Sequence, residues 1–201
     1  MNNKIVLSIL SIFAVIGLVG GITYAYFSDQ GTSTGNTFST GTLILKLTDV
    51  DQTDQDSVIA SFGSSTLVPG TCTGEQTLTL KNTGTVAANH AEVIVGNVVT
   101  DTNSDAPLLQ GMDNFLRIKK LTYGGADVTS QIGTDVNSNN FNDLADWAAS
   151  APALDNLALS DLDTGHALVL DVCLDSSAGN TLQGDSVVST FTVDLNQDAS
   201  Q

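Results

Sequence analysis

The sequence predicts an all-β chain: two antiparallel sheets packed as a jelly-roll-like sandwich, with a short helical insertion and an extended N-terminal strand. Three observations carry this. Short Val/Leu/Thr runs alternate apolar with polar residues, the period of a half-buried strand. Gly, Ser, Thr, Asn and Asp are abundant between those runs, while proline is confined to Pro69, Pro107 and Pro152. Helical spacing appears downstream of the leader only around residues 141–149, where Leu144, Trp147 and Ala148 fall on one side.

The N-terminus comes first. Residues 5–21 are apolar apart from Ser8 and Ser11, and Lys4 is the one charge before them. A basic start, an apolar stretch and a small-x-small boundary form a secretory signal peptide. Thr23 and Ala25 occupy its −3 and −1 positions, which puts cleavage between Ala25 and Tyr26 and makes residues 1–25 a leader. The competing reading is an uncleaved anchor, since such a stretch is just long enough to span a bilayer. Residues 26–41 follow as an arm, opening Tyr26-Phe27-Ser28-Asp29 and continuing through Thr32 and Thr34 to Phe38. Thr-rich, proline-free chain suits an extended strand, and at full extension the arm reaches about 50 Å. It reads as a loose tail, as an edge strand of its own sheet, or as a strand lent to a neighbour.

The remaining chain, 42–201, reads as one sandwich domain. Residues 42–47 give a first strand with Leu43, Leu45 and Leu47 on one face, followed by an acidic loop over 49–56. Leu67-Val68-Pro69-Gly70 is a turn leading to a strand over 76–80. Asn82-Thr83-Gly84 turns again into 91–95. Residues 100–160 read as an insertion. Within it, 115–123 is a strand closed by Gly124-Gly125, with Arg117, Lys119 and Lys120 as a solvated, lysine-protected edge or a patch for an acidic neighbour. Strands over 165–174 and 187–195 end the chain, separated by Asn180-Thr181-Leu182-Gln183-Gly184. The expected core is Leu43, Leu45, Leu78, Leu80, Val93, Val95, Leu168, Leu170, Phe191 and Val193.

Six Lys+Arg stand against 22 Asp+Glu, and loss of Lys4 with the leader leaves a net charge of −17. That charge argues against nucleic acid and anionic membrane surfaces as partners; membrane contact is expected only through the leader. Cys72 and Cys173 are the only cysteines. Export makes them a disulfide pair, the alternative being two buried thiols. Closing a loop of about 100 residues is worth up to roughly 4–5 kcal/mol in the chain-entropy model.

Catalytic chemistry is thin. His90 and His166 are the only histidines, no His-Glu-x-x-His occurs, and both read as structural or surface residues. Nucleophile elbows and phosphate loops are absent. Calcium is the better candidate. Asp135, Asn137, Asn139, Asp143 and Asp146 fall at positions 1, 3, 5, 9 and 12 of a calcium-loop template, with Asn140 where a left-handed residue is needed. Asp146 stands in for the bidentate Glu, however, and an Asn/Asp-rich turn opening a helix has the same letters. No other cofactor is implied.

Gly-Gly-x-Thr-Tyr-Ala-Tyr-Phe-Ser-Asp at 20–29, Phe-Ser-Thr-Gly-Thr-Leu at 38–43, the Leu-x-Pro-Gly and Asn-x-Gly turns, and Asn-x-x-Gln-Gly at 180–184 together resemble the TasA/camelysin family of secreted fibre proteins. The resemblance covers roughly the first 95 and last 40 residues. It implies an exported subunit of a biofilm fibre, with archaeal bundling pili as relatives. Each subunit would lend its N-terminal strand to the next in a head-to-tail homopolymer. The camelysin label also implies an extracellular metallo-endopeptidase, and a monomeric cell-surface or adhesion module is a further alternative.

Overall fold

A computed structural model describes residues 2–22, 39–59, 62–102, 111–150 and 154–198. Met1–Ser39 and Thr40–Gln201 are separate compact units. The first holds α1 (Asn3–Ile22), which is apolar on every side, with Leu7 and Phe13 about 70 % exposed. Its Ser8 hydroxyl donates back to the Lys4 carbonyl, and Ser11 to that of Ser8, so both serine hydroxyls are satisfied within the helix. Counted over described residues, no helix is long and apolar enough to cross a membrane. The cleavage residues Ala25 and Tyr26, and the arm residues Phe27, Ser28, Asp29, Thr32 and Thr34, lie outside the described residues.

The second unit is mostly β, in two antiparallel sheets, as the alternation predicts. Its strands are β1 (Leu45–Thr48), β2 (Gln76–Asn82), β3 (His90–Thr100), β4 (Leu116–Tyr123), β5 (Ala126–Asp127), β6 (Leu154–Leu157), β7 (Gly165–Leu174) and β8 (Ser186–Asn196). The larger sheet runs β1-β2-β7-β4-β5 and the smaller β6-β3-β8. Leu78, Leu80, Val93, Val95, Leu168 and Leu170 are buried between them, as expected. Leu43, Leu45, Phe191 and Val193 are only half-buried; the last three belong to the outermost strands β1 and β8, and Leu43 leads into β1.

The turn motifs have physical reasons. The Thr71 N–H donates to the Val68 carbonyl at 2.9 Å, with Pro69 and Gly70 between them and Gly70 at φ +84, the geometry of a type II turn. Asn82, fully buried, donates to the Val86 carbonyl and accepts from the Gly84 N–H. Gly84 is needed because a Cβ there would collide with the Thr42 carbonyl oxygen.

Residues 100–160 weave into both sheets. They supply β4 beside β7, β6 beside β3, and α2 (Leu144–Ala149), whose fully buried Trp147 meets Phe191 edge to face at 5.5 Å. The 115–123 run is not a solvated edge: β7 and β5 pair with β4 on its two sides. Lys119 reaches Asp171 at 3.1 Å, Lys120 reaches Glu75 at 2.7 Å, and Arg117 lies over the Phe141 ring.

Candidate functional site

Three places on the second unit carry more polarity or more open edge than a sandwich needs. The first is β8. Its inward residues Val187, Phe191, Val193 and Leu195 pack on the core yet stay half-buried, and β3 is its one ladder partner among the described residues. Eleven residues of strand edge run about 37 Å. A groove of about 790 Å³ opens between this strand and β7, lined by Val187, Phe191, Leu170, Val172 and Leu67. Phe62 from the preceding segment meets Phe191 edge to face.

The second is the 135–146 loop. Asn140 is left-handed at φ +66, the conformation its position demands. Asn137 and Asn139 each donate a side-chain N–H to Asp143 Oδ2 at 2.7 Å. Asp135 instead accepts the Asn139 and Asn140 backbone N–H groups. Both Asp146 oxygens accept backbone N–H, from Val136 and from Asp143, and Asp143 Oδ1 accepts from the Asp146 N–H in return. That reciprocal pair is a capping box opening α2. The loop thus gathers Asn137, Asn139 and Asp143 together, while Asp135 and Asp146 are occupied by the main chain. Burial pushes the Asp143 carboxyl above the usual carboxylate range, against the lowering effect of these N–H donors.

The third was missed in the sequence. His90 is not a surface residue: it is 2 % exposed, and its Nε2 lies 3.1 Å from Glu92 Oε1 and 3.7 Å from Asp155 Oδ1. His90 and Glu92 share a face because they stand two apart on β3. Asp155 arrives through a β-bulge: three steps of β6 oppose two of β3, and Asn156 takes φ +57 to absorb the extra residue. The His90-x-Glu92 spacing was the available signal; Asp155 had none. His166, by contrast, stacks on Tyr123 at 5.7 Å and pairs with Asp161. Cys72 and Cys173 form a disulfide, joining the turn before β2 to β7.

A family model described as camelysin metallo-endopeptidase matches residues 1–201. The chain belongs to the camelysin family. No curated protein matches the chain. The family description implies a metal. Among the described residues, His90, Glu92 and Asp155 are the mixed ligand set that fits one, the other cluster having both its cysteines in the disulfide. Catalytic zinc sites carry three protein ligands and an open fourth position beside substrate. Three candidate side chains stand together in this camelysin-family chain, but none of them lines the groove beside β8.

Proposed function

We propose that this camelysin-family chain is an exported structural subunit of an extracellular filament, polymerising as the arm of one copy pairs with the next. The observation that carries the reading is β8: a long strand with one open edge and an apolar face still half-exposed beside a groove. An added strand would gain main-chain hydrogen bonds along that edge and cover the groove, the mode of β-augmentation. Residues 26–41 are long enough to span it and rich enough in Thr to pair. Insertion from copy to copy is head-to-tail and does not close, so it yields a filament. Calcium is not required by this reading.

The chain without residues 1–25, examined by negative-stain microscopy and sedimentation, should form filaments. Further deletion of residues 26–36 should leave a folded monomer. Filaments that persist without the arm, or a chain lacking only residues 1–25 that stays monomeric, would refute the proposal.

The second reading is the endopeptidase of the family description. There His90, Glu92 and Asp155 would hold the metal, which would polarise a peptide carbonyl or activate water. Its support is that cluster; against it stands the burial of His90 and Glu92. Hydrolysis of an unfolded protein substrate, lost on chelation and in His90→Gln, would establish it.

A further inference from the structure

We propose that His90, Glu92 and Asp155 bind a zinc ion that clasps the three strands of the smaller sheet at one end, as a structural rather than hydrolytic centre. The cluster sits where the strands converge. His90 and Glu92 come from β3, Asp155 from β6, and Asn196 from β8, where it is the register partner of His90.

The polar geometry is overcommitted around one atom. His90 Nε2 faces Glu92 Oε1 at 3.1 Å, Asp155 Oδ1 at 3.7 Å and the Asn196 side-chain amide at 3.4 Å. A ring nitrogen offers either one proton or one lone pair. With a lone pair it accepts from Asn196 but leaves two carboxylates facing an electron-rich nitrogen. With a proton it serves Glu92 and loses the Asn196 contact.

A cation among these atoms removes the conflict: Nε2 supplies its lone pair, and the carboxylates supply charge. The spacing suits it. Ligands at roughly 2.0–2.2 Å around a tetrahedral zinc stand roughly 3.3–3.5 Å apart, and 3.1 and 3.7 Å bracket that separation. All three donor atoms lie within 4.8 Å of one another. Nδ1 then carries the proton and faces Asn89 Oδ1 at 3.4 Å, the orienting contact that metal-bound imidazoles use. Rotated about its amide, Asn196 presents an oxygen as a fourth ligand. A mixed imidazole and carboxylate set favours zinc over the all-oxygen cations.

Burial decides the role. His90 is 2 % and Glu92 8 % exposed, and the half-exposed Asp155 is the entry side. The cluster stands at the Asn196 end of β8, whereas the groove begins at the Ser186 end. The metal cluster and the groove therefore occupy opposite ends of β8.

The test uses the full chain, stripped with chelator, and Zn²⁺ itself as the probe. One equivalent should bind per chain by equilibrium dialysis, and the thermal unfolding midpoint should rise with Zn²⁺. His90→Gln and Asp155→Asn should each weaken binding at least about tenfold, while His166→Gln should bind as the wild type. Asp155→Asn keeps the side-chain oxygen that accepts the Asn156 N–H, so it stays informative if His90→Gln does not fold. Absence of uptake, or uptake that neither variant weakens, would overturn the proposal. So would a thermal unfolding midpoint that does not move with zinc.

Discussion

β7 and β8 make an instructive pair. Both are long strands near the C-terminal end of the chain, but β8 alternates polar and apolar residues over its second half, whereas β7 carries the continuous apolar run Ala167-Leu168-Val169-Leu170 and alternates only in how deeply those residues are buried. β7 lies between β2 and β4, is tied by Cys173 to the turn before β2, and buries Leu168, Leu170, Val172 and Leu174. β8 has β3 on one side and buries none of its residues fully. Alternation therefore reports which face of a strand points inward, but a strand's burial depends on how many neighbours flank it. In this domain the difference separates a strand completed on both sides within the chain from one with an open edge among the described residues, the edge to which the proposed arm would pair.

The widest gap between the two strands should open when the β7 anchor is cut. Replacing Cys72 and Cys173 with serine frees a closure spanning 101 positions and should cost about 2–5 kcal/mol, read by denaturant unfolding. Next comes Leu170→Ala, at a 1 % exposed position, with an expected loss of about 3 kcal/mol. Phe191→Ala removes a larger side chain from a half-buried site and should cost the monomer less, about 1–2 kcal/mol against the 3–5 usual for a fully buried ring. Its larger effect should fall on assembly, since its ring lines the groove. If Phe191→Ala destabilised the monomer more than Leu170→Ala, the contrast between the strands would be lost.

Much of the fold was legible because period-2 patterning and turn chemistry are local. Pro69-Gly70, Asn82 with Gly84, and Gly124-Gly125, both at positive φ, each sit at a bend that needs those residues. What was illegible depended on distant partners. Residues 100–160 hold recognisable strands, yet nothing local says that β4 pairs with β7 across about fifty positions. His90 and Glu92 stand at strand spacing, but Asp155 joins them through a bulge that the letters do not announce. The 135–146 loop shows how spacings alias. Positions 9 and 12 of a calcium loop are three apart, and so are the two members of a capping box, the role Asp143 and Asp146 fill.

That loop yields the smallest effect, and one with a defined sign. The α2 capping box lies away from the β7–β8 contrast, so changes there should leave both strand effects intact. Burial raises the folded carboxyl of Asp143 above its unfolded value. A raised carboxyl favours the protonated form in the fold. Its contribution to stability is therefore fully present below the unfolded value, near pH 4, and is lost as pH rises through the higher folded value. Asp143→Asn carries no such titration and should flatten this component of the stability curve above pH 4, read as the difference between the two pH profiles. The same variant tests calcium. Asp143 is met by the side-chain N–H groups of Asn137 and Asn139, so millimolar calcium should leave the wild-type midpoint unmoved. A calcium-dependent rise that Asp143→Asn abolished would show that those amides turn their oxygens inward around an ion.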